Sequence, residues 1–240
     1  VRIYNDGTVA GSALDIDPFS DVTKPRYPDV AYNSARSEML VVWQRLVGSD
    51  YDIYGQRVHM LAGGGYHAEG STFSVVATTT PETNAAVAAI PQPAGTGRYL
   101  VVWESSANNG DIQYKTVTGD GTPGATQSLA STAWEERYPA VAGCESNQQF
   151  LVVWVWVPVP TPPAMLQIQA RTLSVDGIPL DATTTVGGKQ VLSWPTAAAG
   201  PVGDFLVAFE DNEVFGTYNP GIYGYLWGNR VYLPLILRSF

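Results

Sequence analysis

The sequence predicts an all-β chain, a β-propeller built from four-stranded antiparallel blades. Three observations carry this. The strand Leu40-Val41-Val42-Trp43 returns as Leu100-Val101-Val102-Trp103, as Leu151-Val152-Val153-Trp154 and, in weaker form, as Leu206-Val207-Ala208-Phe209, at spacings of 60, 51 and 55 residues. Around each copy lie three further short strands, so the unit is a four-stranded meander of the size of a propeller blade. Asp-Gly turns and Gly/Pro punctuation recur between the strands. A β-sandwich or a β-solenoid is the architectural alternative.

The first unit, about residues 26–80, is the clearest. Arg26 to Tyr32 reads as strand A, Met39 to Gln44 as strand B, Asp52 to Val58 as strand C and Ser71 to Thr78 as strand D. Alternating polarity and β-branched enrichment support C and D. The second unit, 81–136, has its A strand near Asn84, B at Tyr99 to Glu104 and C at Asp111 to Val117. The third, 137–192, has A at Arg137 to Ala142, B at Phe150 to Val155 and C at Gln167 to Leu173. The fourth, 193–228, has A at Trp194 to Ala198, B at Asp204 to Glu210 and C at Gly221 to Trp227. Asp120-Gly121 and Asp176-Gly177 follow strand C as two-residue hairpin turns.

Residues 1–25 read as closing strands. Val1 to Gly7 matches Arg171 to Gly177, so the chain is expected to open at the end of a strand C and continue into a strand D. Residues 229–240 read as an apolar C-terminal strand, with Pro234 favouring a sheet edge. Both ends compete for the missing strand D of the fourth unit. This leaves a ring of four blades with a doubled closure, or a fifth partial blade, within one domain spanning 1–240.

Composition excludes several function classes. The 240 residues suffice for one large β domain, and only 15% of them are charged. Formal net charge is -9, with lysine only at 24, 115 and 189. No basic stripe is present to neutralise phosphates, so nucleic acid is excluded as an expected partner. No apolar run approaches the roughly 20 residues of a membrane span. Cys144 is the single cysteine, so no intrachain disulfide can form. The start at Val1 and the scarcity of lysine lean towards an extracellular or cell-surface protein whose signal peptide has been removed.

In a meander the B–C loops and the D–A links share one face. The B–C loops Arg45–Tyr51, Ser105–Gly110, Trp156–Met165 and Asp211–Pro220 differ between units, and varied loops on a rigid frame are where binding sits. The candidate binding residues there are Asp50, Asp52, Glu104, Asp111, Trp134, Trp156, Glu210, Asp211 and Tyr218. Asp52 and Asp111 share one repeat position, which favours a structural device such as a turn hydrogen bond. Trp43, Trp103 and Trp154 are read as filler between blades.

Motifs for chemistry are sparse. His59 and His67 flank a Gly-rich turn on the opposite face without a carboxylate or cysteine pair beside them in sequence. No nucleophilic triad, phosphate loop or dinucleotide fingerprint occurs. No cofactor is expected; Asp50-Tyr51-Asp52 is a fragment of a calcium loop, so a bound calcium ion has no complete motif behind it, and metal content is left open. Carboxylate pairs for glycoside hydrolysis could be drawn from Glu104, Asp111, Glu210 and Asp211.

The unit with Tyr27-Pro28-Asp29-Val30-Ala31, Leu40-Val41-Val42-Trp43 and Asp52-Ile53-Tyr54-Gly55-Gln56-Arg57-Val58 resembles a repeat of large exported bacterial proteins. The resemblance covers nearly all of residues 26–228 and implies a β-propeller, a surface or secreted location and a scaffold role; it brings no catalytic residues. Arg230 to Arg238 resembles short tails on exported proteins of filamentous thermophilic bacteria. The expected function is therefore a secreted or cell-surface binding or structural module that is not catalytic, meeting a protein or glycan on the B–C loop face. The alternatives are a carbohydrate-active hydrolase using loop carboxylates, and a subunit that self-associates through its apolar tail.

Overall fold

A computed structural model describes residues 2–3, 9–10, 13–18, 20–62, 65–92, 96–158, 166–187, 194–214, 217–228 and 235–236; for 2–3, 9–10, 211–214, 217–220 and 235–236 it describes the backbone alone. The strands in chain order are β1 (Arg2–Ile3), β2 (Val9–Ala10), β3 (Arg26–Asn33), β4 (Glu38–Val47), β5 (Asp50–Met60), β6 (Tyr66–Val76), β7 (Glu82–Ile90), β8 (Arg98–Ser105), β9 (Asp111–Thr118), β10 (Gln127–Ala130), β11 (Glu135–Cys144), β12 (Gln149–Val157), β13 (Gln167–Ser174), β14 (Thr184–Gly187), β15 (Thr196–Ala199), β16 (Phe205–Val214), β17 (Thr217–Trp227) and β18 (Leu235–Ile236). They form four antiparallel four-stranded meanders, β3–β6, β7–β10, β11–β14 and β15–β18, which are blades 1 to 4 of a β-propeller. The first strands β3, β7, β11 and β15 neighbour one another around the axis.

The repeated apolar strand is the middle of each blade. Its residues point alternately to the two flanking blades, as period-2 side chains must. Leu40 and Val42 face blade 2, where they meet Val87, Val101 and Trp103. Leu100 and Val102 face Phe150, Val152 and Trp154 of blade 3. Leu151 and Val153 face Phe205, Val207 and Phe209 of blade 4. Each interface is one such apolar sandwich, and burying a large aliphatic or aromatic side chain contributes roughly 1.5–3 kcal/mol. Trp103 and Trp154 fill their interfaces as expected; Trp43 is instead covered by the segment before blade 1, its Nε1–H donating to Asp17 Oδ2 at 2.7 Å. The three clusters join consecutive blades, and among the described residues none joins blade 4 to blade 1.

The two chain ends resolve the competition for strand D. β18 pairs with β17 through Tyr223–Ile236 and Gly224–Leu235, so the C-terminal segment completes blade 4. β1 and β2 pair only with each other, as a separate two-stranded sheet. Ile3 opposite Val9 repeats the bridges at Pro123 and Pro179 that precede strand D; the expected turn at Asp6-Gly7 lies outside the described residues.

Several local expectations are corrected. The first B–C loop shrinks to Gly48-Ser49, because β4 and β5 stay paired as far as Val47 and Asp50. The fourth is a hairpin extension as well, with Asp211 opposite Gly221 and Glu213 opposite Tyr218; β-branched and aromatic residues continue the ladder where acidic residues suggested a loop. The Asp-Gly turns are not two-residue hairpins with both residues at positive φ. Only Gly121 (φ 90°) and Gly177 (φ 78°) are left-handed, and the turn is closed by Gly121 N–H donating to the Thr118 carbonyl. Strand D begins several residues later, after bridges at Pro123 and Pro179. Residues 159–165 of the proline-rich third loop lie outside the described residues.

Candidate functional site

The inner strands create a site that the loops do not. In β3 the pairing steps from Arg26 opposite Gln44 to Asp29 opposite Val42, three residues against two. β7 makes the same step between Thr83 and Ala86, and β11 between Arg137 and Ala140. Each is a β-bulge at one repeat position. The residue at its start is left-handed in all three: Tyr27 (φ 50°), Asn84 (φ 52°) and Tyr138 (φ 53°). Asparagine tolerates this conformation; for a tyrosine it costs about 1–2 kcal/mol. Proline follows at 28 and 139, where an unpaired bulge position needs no N–H.

The bulges turn these residues into a cavity of about 390 Å³ at the axial mouth, on the face of the D–A links. Four equivalent triplets line it: Tyr27-Pro28-Asp29, Asn84-Ala85 with the neighbouring Ala86, Tyr138-Pro139-Ala140 and Trp194-Pro195-Thr196. Trp194 lies against Tyr138 with ring centroids 5.0 Å apart. Aromatic faces, one amide, one carboxylate and the hydroxyls of Tyr27, Tyr138 and Thr196 on a concave rim suit an amphipathic ligand held by stacking and a few directed hydrogen bonds.

Cross-blade hydrogen bonds fix this rim. Asp29 Oδ2 accepts the Val87 N–H at 2.8 Å. Gln44 Oε1 accepts the Asn84 N–H at 3.2 Å. Glu104 occupies the Gln44 position of blade 2; its Oε2 accepts the Asn84 side-chain amide at 3.1 Å and the Tyr138 N–H at 3.3 Å. Val155 takes that position in blade 3 and has no side-chain acceptor to offer blade 4. Of the residues proposed from sequence, Glu104 is bonded to the rim; Tyr27, Asp29, Asn84 and Tyr138 were read only as strand beginnings. The aromatic-Pro step in three of the four units, Tyr27-Pro28, Tyr138-Pro139 and Trp194-Pro195, was the available signal.

The other expected residues fall elsewhere. Asp52 is buried between blades 1 and 2 against Glu82, and Asp111 between blades 2 and 3 near Glu136. The device is a carboxyl group set between blades at both positions, and at Asp111 a turn hydrogen bond as well, the Asn108 side-chain amide donating to Oδ2 at 3.2 Å. Thr78 and Thr132 hydroxyls donate to Glu82 and Glu136 respectively, each at 2.5 Å. Burial pushes Asp52, Glu82 and Glu136 up from the ordinary carboxyl range. Asp50 is half-buried beside the Gly48-Ser49 turn. Trp134 is exposed and lines a separate cavity of about 420 Å³ with Asn109, Ala133, Glu135 and Val157. Trp156 is half-buried, its Nε1–H donating to Thr132 Oγ1 at 3.5 Å. Glu210 is half-buried in β16; the side chains of Asp211 and Tyr218 lie outside the described residues. The described ones among these residues are therefore not gathered into one site.

His59 and His67 face each other across β5 and β6 with ring centroids 5.5 Å apart. Contrary to the sequence expectation, a carboxylate stands by each: Glu38 is 3.9 Å from His59 Nδ1 and Glu69 is 3.1 Å from His67 Nε2. Even so, no group of three potential metal ligands is gathered among the described residues. No helix among them is long and apolar enough to cross a membrane.

No known protein family and no curated protein matches the chain. Solved structures do. The chain is similar to a Penicillium chrysogenum α-L-arabinanase complexed with arabinobiose, at 12% identity over 87% of this chain and 64% of that one, with a TM-score of 0.57. A Hadza microbial sialidase aligns at 10% identity over 88% of this chain and 46% of its own length, with a TM-score of 0.56. A GH43 β-1,3-galactosidase bound to galactodeoxynojirimycin aligns at 10% identity over 94% and 80%, with a TM-score of 0.53. These likenesses establish the propeller fold. They also correct the expectation of a non-catalytic scaffold module, because the neighbours are named as carbohydrate-active hydrolases; the hydrolase alternative accords with them better.

Proposed function

We propose that the protein is a carbohydrate-active hydrolase whose site is the axial mouth. The observation that carries this reading is the strained aromatic rim with Asp29 facing its cavity and Glu104 bonded directly behind it. Aromatic faces stack on the apolar faces of a sugar ring, and the Asp29 carboxylate binds its hydroxyls. Backbone strain held by cross-blade hydrogen bonds marks a position kept for a ligand rather than for stability. The names of the solved structures of like fold support the same class of substrate.

Hydrolysis of a glycosidic bond needs one carboxyl group to protonate the leaving oxygen and one carboxylate to activate water or attack the anomeric carbon. Asp29 takes the second role, since it lines the cavity and the Val87 N–H holds its orientation. Glu104 stands behind the rim and is a positioning residue, accepting the Asn84 side-chain amide and the Tyr138 N–H. An extracellular or cell-surface location accords with such a substrate and with the exported repeat that the sequence resembles.

Release of chromophore from nitrophenyl α-L-arabinofuranoside and β-galactoside and from a fluorogenic sialoside tests the reading. Turnover of one of them is expected, with a 10²- to 10⁴-fold loss, roughly the size of an acid–base contribution, in Asp29→Asn. Wild-type protein inert towards all three, with no glycan retained on an array, overturns it.

A further inference from the structure

We propose that the cavity beside Trp134 is an outer subsite for an oligosaccharide whose end reaches the axial mouth; the inference rests on the carbohydrate reading of that mouth and adds a place for the rest of the glycan. The cavity, about 420 Å³, is lined by Asn109, Ala133, Trp134, Glu135 and Val157. The repeat supplies a control for it. Glu82 and Glu136 share one repeat position, one residue ahead of the bulge step. The turn before each is built alike: Thr78 Oγ1 accepts the Thr80 N–H at 3.0 Å, and Thr132 Oγ1 accepts the Trp134 N–H at 3.1 Å. The threonine hydroxyl then donates to the glutamate in both. On this common scaffold Thr80-Pro81 of the first link becomes Trp134-Glu135 of the second. The turn itself does not need the change, since threonine serves its backbone equally well. Trp134 is 40% exposed on the cavity wall, so its aromatic face is offered to a ligand.

Asn109 enters from the B–C loop of blade 2. Asn108 (φ 49°), Asn109 (φ 83°) and Gly110 (φ 112°) are left-handed in succession, a run that persists only where its surroundings fix it. The Asn108 side-chain amide donates to Asp111 Oδ2 at 3.2 Å, and the Gly110 N–H donates to the Ala107 carbonyl at 2.9 Å. The Gly110 carbonyl in turn accepts the Glu136 N–H at 2.9 Å, which ties this loop to the link carrying Trp134. Blade 1 has only Gly48-Ser49 at the same place, so both walls are particular to this interface.

The lining sets the class of ligand. An indole face, a side-chain amide, a carboxylate that also pairs with Arg137, and the small apolar surfaces of Ala133 and Val157 match a sugar ring, which has an apolar face and hydroxyls at its edge. The position sets its size. Trp134 precedes Tyr138 of the axial rim by four residues, so their Cα atoms are at most about 14 Å apart, and both cavities open on the face of the D–A links. A short oligosaccharide spans that distance.

The test compares chain lengths. kcat/KM is measured for arabino- and galacto-oligosaccharides of two and six residues and for the matching nitrophenyl monoglycosides, in the wild type and in Trp134→Thr, the residue type that the same turn carries at Thr80. Hexasaccharide turnover is expected to fall about 10-fold in the variant, while monoglycoside turnover changes by less than about twofold and Tm by less than about 2 °C. Trp134→Phe keeps an aromatic face and should retain most of the hexasaccharide rate. An equal loss on both substrates, or no loss on either, overturns the subsite and leaves hydrolysis at the axial mouth in place. A wild type that turns over none of them yet retains the hexasaccharide in affinity electrophoresis, with retention lost in Trp134→Thr, upholds the subsite and sinks the hydrolase reading. Neither turnover nor retention overturns both.

Discussion

Asp52 and Glu82 meet carboxyl to carboxyl between blades 1 and 2, both almost fully buried. Asp52 Oδ1 and Glu82 Oε2 have no donor from the rest of the protein, and two ionised carboxylates have none to give each other. A proton shared between the two groups would satisfy both oxygens. Burial raises the proton affinity of each group, so the native state binds more protons than the unfolded chain. Their stabilisation is complete below the ordinary carboxyl range of about 4 and is lost as pH rises through the raised native values. Glu82→Gln supplies an amide donor at every pH. Urea titrations should show the wild type losing stability relative to Glu82→Gln between pH 4 and pH 8, with the variant ahead by about 1 kcal/mol at the upper end. A difference that does not change with pH would place the proton elsewhere.

Tyr27 carries strain in its backbone. Tyr27→Gly relieves the left-handed conformation and is expected to leave stability unchanged or raise it by up to about 1 kcal/mol, despite the lost side chain, which is exposed. Ligand retention at the axial mouth should fall at the same time. Thermal unfolding and glycan binding measured on the one variant separate the two effects. A Tyr27→Gly protein that is less stable and binds normally would assign the bulge to folding alone.

The four leucines of the repeat give a matched mutational series. Leu100→Ala and Leu151→Ala remove fully buried side chains and should each cost about 2–5 kcal/mol. Leu206→Ala, at the same repeat position of blade 4 but with its side chain 42% exposed, should cost about 0.5 kcal/mol or less. Chemical denaturation of the three variants checks the ratio.

Deleting residues 231–240 removes β18 and uncovers the edge of β17. The truncated protein is expected to unfold at a temperature lower by about 2–8 °C, the effect of 1–2 kcal/mol on a domain of this size, with its solution mass unchanged apart from the missing residues. A change in association state instead would revive self-assembly through the tail.

The fold was legible because its signals repeat. Leu-Val-Val-Trp recurs with one face for each neighbour, and both faces are buried wherever a neighbour exists. The match of Val1–Gly7 to Arg171–Gly177 pointed to further β structure before blade 1, where β1 and β2 pair. The site was less legible. Tyr27 and Tyr138 take a conformation that glycine usually signals, and it is tertiary hydrogen bonding from Glu104 and Asp29 that pins the strands there. The pairing of Asp52 with Glu82 was hidden because each belongs to a different repeat unit, whereas the repetition of Asp52 in Asp111 was visible. Acidic residues near Asp211 suggested solvent loops, although the backbone there keeps its ladder.

The rim has a further consequence that follows from its repetition. Four equivalent positions around an axis would seat a ligand in four near-degenerate orientations, an ambiguity worth RT ln 4, about 0.8 kcal/mol. At the third place of each triplet stand Asp29, Ala86, Ala140 and Thr196. One corner bears a charge, one a hydroxyl, and two only methyl groups. A polar ring seated there has a single preferred azimuth, so a pseudosymmetric frame acquires a direction from two side chains.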